Sequence, residues 1–315
     1  MLCIRLKNPD PYFCLAAEEF LLKNFSDDIF MLWQSNDTVV VGKHQNALAE
    51  INYPYVREKN ITVARRISGG GAVFHDAGNV NFSFIKNVSS PAEISFKMFT
   101  APVVETLGKL GLNATTSGRN DLLLEGLKIS GNAEHVYKNR VLHHGTLLFD
   151  ADLENLGKAI KVVPGKYQSK AVQSNRSPVA NILPFLSQPM SIEDFMQFMI
   201  DVQLQKPGTR LYELRKNDTA SISELANEKF ITWDWRYAYS PKYTFRNTVT
   251  FDSRTLVVFL EVKKGRITDA NLEGNYYSEP YATELSALLV GKQHRFEDIQ
   301  TVLHTDDQKL VYAFF

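Results

Sequence analysis

The chain has 315 residues and a formal net charge of zero, with 44% hydrophobic and 22% charged residues. These proportions are ordinary for a globular protein and exclude a disordered or collagen-like chain, while neutrality argues against a protein that coats nucleic acid. Two cysteines are too few for a disulfide framework or a four-ligand zinc site. No apolar run approaches the roughly 20 residues that cross a bilayer, and charged residues interrupt the N-terminal segment where a secretory signal needs an apolar core. We therefore predict a cytoplasmic protein that binds neither nucleic acid nor membranes.

Hydrophobic periodicity predicts helices and short strands in mixed order. The predicted helices of the larger, N-terminal part are residues 15–25, 91–110, 192–204 and 221–228. The predicted strands there are residues 29–34, 38–42, 61–64, 72–74, 80–85, 121–124, 128–129 and 141–149. Because the strands come in runs and do not alternate with helices, we predict an α+β (mixed α/β) fold with a mixed or antiparallel sheet, not a doubly wound one.

A polar, turn-prone stretch at residues 236–247 predicts a linker before a second unit. Just before it, Trp233 and Trp235 have the spacing of a strand that packs into a core. Two strands and two helical stretches follow the linker. We therefore predict a large domain over residues 1–245 and a small α+β domain over residues 246–315.

Three consecutive glycines follow two arginines in RRISGGGAVFHDAGN, residues 65–79. Glycine leaves backbone N–H groups open to the close approach of an anion, and arginine donates charge-assisted hydrogen bonds to a carboxylate or phosphate. The segment has neither the ending of a Walker loop nor the spacing of a dinucleotide fingerprint. A flexible turn is the alternative interpretation, so this motif by itself only indicates an anion site.

Two later motifs carry a lysine and a histidine pair. Lys128 is followed by small residues in KISGNA, which gives it room to contact carboxyl and phosphoryl oxygens together, although a surface lysine has the same pattern. His143 and His144 are adjacent on a predicted strand, so their rings point to opposite faces and at most one reaches a given site. We expect no metal bound by this pair, and a structural role is the alternative for either ring.

The predicted loop at residues 165–184 lies within a strongly basic part of the chain. Between Asn155 and Ile192 there is no Asp or Glu, whereas five residues are basic. Such a loop suits closure over a polyanionic ligand, and a solvated basic face is the alternative. We find no nucleophile elbow and no serine–histidine–acid order, so a protein nucleophile is not expected.

Taken in order, five motifs resemble the lipoate–protein ligase family, of the lipoate–protein ligase A and lipoyltransferase type. They are VVVGKHQN at 39–46, RRISGGGAVFHDAGN at 65–79, GRNDL at 118–122, KISGNA at 128–133 and HHGTLL at 143–148. The resemblance implies a biotin/lipoate-ligase catalytic domain, related to class II aminoacyl-tRNA synthetases, with a C-terminal accessory domain. It also implies a reaction in which lipoate and ATP, assisted by Mg²⁺, form lipoyl-AMP, whose lipoyl group then passes to a lysine of a lipoyl domain.

The resemblance also implies roles for individual residues. Lys128 would be catalytic and contact both the lipoyl carbonyl and the phosphate. The residues implied to bind ATP and lipoyl-AMP are Arg66, Ser68, Gly69, Gly70, Gly71, Ala72, Val73, Phe74, His75, Asn120, Lys128 and His144. Those implied to cap the adenylate are Lys170, Ser174 and Arg176. We place Asp121, with Asn120, near the magnesium–phosphate region, and we expect Trp33, Val40 and Val41 to wall a tunnel for the apolar tail.

Two other functions stay open at this point. One is a lipoyl or octanoyl transferase that uses a preformed acyl donor, and the other is a catalytically silent protein that binds lipoyl-adenylate. The acceptors implied are lipoyl domains of 2-oxo-acid dehydrogenase complexes, the glycine-cleavage H protein, or both. We expect a monomer, and the preference between lipoate and octanoate is left open.

Overall fold

Three β-sheets and the helices packed on them form the structure, a computed structural model that describes residues 1–90, 93–118, 121–160, 163–174 and 177–315. The strands are β1 (Leu2–Arg5), β2 (Ile29–Trp33), β3 (Thr38–Val41), β4 (Thr62–Arg65), β5 (Val73–His75), β6 (Asn79–Asn87), β7 (Thr115–Ser117), β8 (Asp121–Leu124), β9 (Leu127–Tyr137), β10 (Arg140–Leu148), β11 (Tyr167–Ser169), β12 (Arg210–Leu211), β13 (Tyr243–Phe251), β14 (Arg254–Lys263) and β15 (Arg266–Gly274). The α-helices are α1 (Pro11–Asn24), α2 (Ala47–Glu50), α3 (Tyr53–Glu58), α4 (Phe96–Lys109), α5 (Leu153–Ala159), α6 (Ile192–Leu204), α7 (Lys216–Leu225), α8 (Glu279–Leu289), α9 (Phe296–Leu303) and α10 (Gln308–Tyr312).

The largest sheet has eight strands in the order β12-β1-β2-β6-β10-β9-β8-β7. Its β1 strand runs parallel to β2 and β12, and the other pairs are antiparallel. The sheet is therefore mixed, as predicted. Its central strands are buried on both faces, because helices α4 and α6 contribute to the core on one face and α1 to the core on the other.

Helix α1 begins where the sequence provides a cap. The carboxylate of Asp10 accepts hydrogen bonds from the backbone N–H groups of Tyr12 and Phe13, and Pro11 starts the first turn, where its missing N–H costs nothing. One face of this helix packs on the large sheet and carries Leu15 and the fully buried Glu18 onto it. The helix thus brings a carboxylate into the interior.

A small sheet of order β4-β3-β5 holds the glycine-rich segment. The glycines connect β4 to β5, which flank β3 on either side. Alternation along β3 directs Val40 toward the core under α1, whereas Val41 packs in the core shared with the C-terminal part of the chain. The expectation that both valines wall one tunnel is therefore wrong for Val41.

The C-terminal part consists of the antiparallel sheet β11-β13-β14-β15, covered on one face by α8, α9 and α10. Its apolar core is continuous with residues of α2, α3 and β3. Across this contact the ring of Tyr53 stacks on that of Phe315 at 4.3 Å, and Arg57 pairs with Glu297 at 2.8 Å. The two predicted units therefore share a core.

The predicted linker is wrong in its local structure. Residues Asp234–Ala238 form a π-helical turn, so Trp233 and Trp235 do not lie on a strand, and Tyr243 already belongs to β13. The indole of Trp235 donates to the carbonyl of Arg65 at 2.8 Å, which ties this turn to the end of β4. The predicted boundary at residue 245 falls inside β13 and stays a prediction about folding units.

No helix in the part of the chain that the structure describes is both long and apolar enough to cross a membrane.

Candidate active site

A cavity of about 390 Å³ opens on the face of the large sheet that lies under α1. Its floor is a row of residues on five adjacent strands. Asn81 pairs with both Trp33 and Thr146, Gly131 donates to the hydroxyl of Thr146 at 3.3 Å, and Gly131 pairs with Asp121. The row therefore runs from the indole of Trp33 on β2 to the carboxylate of Asp121 on β8. The cavity thus has an aromatic end and a charged end.

The charged end of the cavity contains Lys128 and Asp121, joined by an ion pair of 2.9 Å. Both side chains are about three-quarters buried. Lys128 lies over Gly131, where an added Cβ would be 3.5 Å from Nζ, so the missing side chain leaves the ammonium room to turn into the cavity. The backbone of Lys128 is also paired with Pro178 and Ala180, which follow the basic loop.

Arg66 presents a buried positive charge without a carboxylate partner among the described residues. Its guanidinium donates to the carbonyls of Gly69, Gly71 and Val40 at 2.6, 2.7 and 3.1 Å, and to the hydroxyl of Ser68 at 3.0 Å. Burial lowers the pKa of Arg66 to about 10, which leaves the group charged at neutral pH. The carboxylate of Glu18 acts on this charge only from a distance, and a bound anion would supply a direct counter-charge.

The triple glycine lies directly against the turn that follows β3. A Cβ added to Gly42 would stand 2.1 Å from the carbonyl oxygen of Gly70, and Gly70 itself has φ +86°. Both positions therefore require glycine. This close approach restricts the conformation of the chain beside Arg66. The glycine segment is therefore a packed loop and not a flexible turn.

A chain of buried hydrogen bonds lies behind the cavity. The ring of His144 contacts the hydroxyl of Ser68 at 2.6 Å through Nε2 and the carboxylate of Glu18 at 2.9 Å through Nδ1. The hydroxyl of Ser83 donates to Glu18 at 2.6 Å and accepts from the indole of Trp33 at 3.2 Å. These contacts fix the His144 ring, which lines the cavity.

The other histidine of the pair lies on the opposite face of β10, as predicted. His143 stacks on Phe99 at 4.8 Å and contacts Glu134 at 2.9 Å and Asn132 at 3.2 Å. Burial lowers its pKa. The alternative of a structural histidine therefore holds for His143.

A second cavity, of about 470 Å³, adjoins the first. Its wall is mainly apolar and includes Phe74, Leu148, Leu156 and Ile160. The two cavities share the residues Ala72, Val73, Lys128, Gly131, Thr146, Ser174 and Ser177. Lys128 thus stands at their junction.

Ser174, on the basic loop, closes one side of both cavities. Its hydroxyl accepts from the backbone N–H of Ala72 at 2.8 Å and from Gln45 at 3.2 Å, and it donates to Glu50. Lys170 is exposed and lines neither cavity. The predicted site residues Asn120 and Arg176 lie outside the described residues.

Asp121 is the candidate ligand for a metal ion at the charged end of the cavity. Among the described residues there is no group of three His, Cys, Asp or Glu side chains that could hold one, and one oxygen of Asp121 is engaged by Lys128. Mg²⁺ commonly binds through one carboxylate together with substrate phosphates and water. The residues present therefore fit a metal that arrives with a phosphate ligand.

Most of the predicted site residues do meet here. Arg66, Gly70, Gly71, Ala72, Val73, His75, Asp121, Lys128, His144 and Ser174 line the first cavity, and Phe74 lines the second. Ser68 and Gly69 do not line the cavity, but they accept hydrogen bonds from the guanidinium of Arg66. Sequence reasoning missed Leu15, Asn81 and Thr146, which line the cavity, and Glu18, which lies behind it. The packing of α1 on the sheet and the pairing of distant strands bring these residues together.

Most of the chain matches two known protein-family models. Residues 10–203 match the model of the lipoyl protein ligase A/B catalytic domain, and residues 240–311 match that of the bacterial lipoate protein ligase C-terminus. The chain belongs to the lipoate–protein ligase family. It is 40% identical over 308 residues to lipoate–protein ligase 1 of Staphylococcus aureus, covering 97% of this chain and 93% of that one. It is 39% identical over 303 residues to the lipoate-protein ligase LplJ of Bacillus subtilis, covering 93% and 90%.

Solved structures of lipoate ligases share the fold. LipL1 of P. falciparum, in complex with lipoate, superposes with a TM-score of 0.66 at 25% identity, over 99% of this chain and 97% of that one. A lipoate-protein ligase A bound with ATP gives 0.64 at 25% identity, over 75% and 98%. The predicted fold class and the predicted enzyme family are both confirmed.

Proposed function

We propose that this lipoate ligase activates lipoate with ATP to lipoyl-AMP and then transfers the lipoyl group to a lysine of an acceptor protein. The observation that carries this proposal is that Lys128 and Arg66 line the first cavity together, while Lys128 also lines the second. Relatives of the family carry the name lipoate–protein ligase, and related structures hold lipoate or ATP. The first cavity, whose wall includes Leu15, Trp33 and Val40, would take the acyl chain, and the larger second cavity would take the nucleoside.

The first step joins the carboxylate to the nucleotide. A carboxylate oxygen of lipoate attacks the α-phosphorus of ATP, the bond from that phosphorus to the leaving pyrophosphate breaks, and lipoyl-AMP forms. Negative charge builds on the phosphoryl oxygens, where Arg66, Lys128 and the N–H groups of the glycine loop would stabilise it. These donors are already held in place by the contacts described above, so they need not reorganise during the reaction.

The second step moves the acyl group. The deprotonated amine of the acceptor lysine attacks the carbonyl carbon, the bond to the AMP oxygen breaks, and an amide forms. Lys128 would contact the carbonyl oxygen and the phosphate together, so it stabilises charge in both steps. Both reacting groups arrive with the substrates, and a protein nucleophile is therefore unnecessary.

Mg²⁺ would bind together with ATP. Among the described residues that line the first cavity, Asp121 is the one with a carboxylate. It would hold the ion together with the phosphate oxygens. When bound there, Mg²⁺ would neutralise part of the triphosphate charge.

The acceptor and the cellular setting are also proposals. An archaeal relative, 26% identical over 75% of this chain with a TM-score of 0.65, is described as a lipoate protein ligase with its E2 lipoyl domain. We extend this to lipoyl domains of 2-oxo-acid dehydrogenase complexes and to the glycine-cleavage H protein as acceptors for this chain. The enzyme would act as a monomer in the cytoplasm.

The experiment that tests the activity is pyrophosphate exchange. The enzyme is incubated with ATP, Mg²⁺, lipoate and labelled pyrophosphate, and the label that enters ATP is measured. Lipoate-dependent exchange is the expected result. If exchange fails while supplied lipoyl-AMP still labels a lipoyl domain, the enzyme is a transferase; if both fail, it is a binding protein.

A further inference from the structure

The floor of the first cavity contains one polar group that nothing satisfies. Asn81 is 2% exposed and lines the cavity, and its side-chain nitrogen has no hydrogen-bond partner among the described residues. The oxygen of the same amide accepts from the side-chain nitrogen of Asn79 at 3.0 Å. A buried donor left unpaired is costly, and a bound ligand can remove that cost.

Several polar groups around Asn81 are already paired among the described residues. The indole of Trp33 donates to Ser83, Ser83 donates to Glu18, and His144 is held between Glu18 and Ser68. His75, the other ring at this end, contacts the hydroxyl of Ser35 at 3.3 Å, and burial lowers its pKa to about 3, so it is neutral. At this end of the cavity, which His75 also lines, the amide nitrogen of Asn81 is therefore a buried donor without a partner among the described residues.

The register of the sheet places this donor at a defined distance from the charged end. Gly131, under the Lys128 ammonium, is on β9, and Asn81 is on β6, with β10 between them. Two strand spacings amount to about 9.5 Å. A carboxyl carbon followed by five carbon–carbon bonds and a sulfur atom spans roughly 8 Å when extended. An acid whose carboxylate contacts Lys128 therefore brings atoms at its sixth carbon beside Asn81.

We propose that Asn81 determines the choice of acyl chain by donating a hydrogen bond to a sulfur of the dithiolane ring. A divalent sulfur accepts weak hydrogen bonds, whereas a plain hydrocarbon chain accepts none. Octanoate, the eight-carbon acid without the ring, leaves the Asn81 donor unsatisfied when it displaces water, so it is disfavoured. The proposal rests on the proposed function and names the acid that the site prefers.

The test compares lipoate with octanoate as substrates of pyrophosphate exchange. Asn81→Leu removes the donor and keeps the branched shape at a larger volume, and Asn81→Asp keeps both shape and size and replaces the donor with an oxygen. The matched control is Asn87→Leu, the same exchange on the same strand, where the side chain is exposed and contacts Ser26 and Asp28. The quantity measured is the ratio of kcat/KM for lipoate to that for octanoate.

We expect the wild-type enzyme and Asn87→Leu to favour lipoate by the same ratio. In both Asn81 variants this ratio should fall about tenfold, the size expected for one neutral hydrogen bond together with the relief of an unpaired donor. A purely structural role would lower both substrates alike, so an unchanged ratio overturns the proposal.

The failure of the proposed function is distinguishable from the failure of this inference. If wild-type enzyme shows no exchange with either acid, calorimetric titration of lipoate and octanoate measures the same preference as a ratio of Kd values. A wild-type preference for lipoate that both Asn81 variants lose still supports the inference, whereas a ratio that they keep contradicts it.

Discussion

Two cations in this protein have opposite surroundings. Lys128 has a carboxylate partner in Asp121 at 2.9 Å, whereas Arg66 bonds only to neutral oxygens among the described residues. Keeping an unpaired charge inside a fold costs free energy unless a ligand compensates it. Arg66 therefore attracts an anion, and Lys128, at the junction of the two cavities, would exchange its ion pair with Asp121 for contacts to the substrate.

The first prediction concerns Lys128. Lys128→Ala should lower the rate of acyl transfer from lipoyl-AMP to a lipoyl domain by about 10²–10³-fold, because it removes a donor aimed at developing charge. The thermal midpoint should change little, since the side chain is partly exposed. Mass spectrometry of the modified domain measures the transfer, and a variant that keeps most of the wild-type rate would exclude Lys128 from the mechanism.

The second prediction concerns the shape of the Arg66 side chain. Arg66→Lys keeps the charge, but an ammonium cannot bond Val40, Gly69 and Gly71 with the planar fork that the structure uses. We expect kcat/KM for lipoate in pyrophosphate exchange to fall about 100-fold, by analogy with the loss of one preorganised donor. Arg57→Lys, at the exposed pair with Glu297, is the control and should retain its rate.

At the scale of elements, close contacts between segments decide where a side chain is tolerated. The hairpin of β14 and β15 turns at Gly265, which has φ +70° and packs against the π-helical turn that follows Trp233. A Cβ there would stand 2.3 Å from the Trp233 ring and 2.7 Å from Ala238. This contact joins the C-terminal sheet to the segment that holds Arg65.

The third prediction therefore concerns Gly265→Ala. The left-handed conformation and the steric overlap together should lower the free energy of unfolding by about 2–4 kcal/mol. Gly291→Ala separates the two causes, because Gly291 also has a positive φ, +86°, but has no atom within 4 Å of an added Cβ. Urea denaturation measures both, and an equal loss in the two variants would show that the Trp233 contact contributes nothing.

For the whole molecule, burial of histidines makes stability depend on pH. His294 lies between the hydroxyl of Tyr243 at 2.7 Å and the carbonyl of Phe314 at 2.6 Å, and burial lowers its pKa to about 4. The unfolded chain takes up a proton near pH 6.5 and the folded chain near pH 4, so the unfolded state binds more protons between these values. Stability is thus fully present above pH 6.5 and is lost as the pH falls through this window.

The fourth prediction follows from that linkage. Between pH 6.5 and pH 5 the free energy of unfolding should fall by about 1.4 kcal/mol per pH unit for His294. Burial also lowers the pKa of His75, His135 and His143, which add to this slope. His294→Gln, which does not titrate, should have a smaller slope than the wild-type protein in urea denaturation, by the share of one histidine. The exposed His304→Asn should keep the full slope, and a full slope in His294→Gln as well would refute the assignment.

The sequence predicted those parts of the candidate site that depend on residues close together in the chain. Runs of apolar residues, capping residues and the glycine and arginine motifs are local, so many longer helices and strands of the larger part and the residues Arg66, Gly71, Lys128 and His144 were predictable from neighbouring residues. Strand β1 and the short helices α2, α3 and α5 were not predicted. The π-helical turn at Asp234–Ala238 was not, because its two tryptophans are held by Gly265 and Arg65, which are distant in the chain.

Sequence alone thus determined the chemical character of the protein: a neutral chain with its positive charge gathered in a few segments, and with motifs that identify its family. Only the tertiary structure decided that β2, β6, β10, β9 and β8 lie side by side, so that Trp33, Asn81 and Asp121 form one row. Strand pairing between distant segments is set by the packing of the whole core and leaves no local pattern. For that reason the cations were visible in the sequence, whereas the unpaired amide of Asn81 became visible only in the fold.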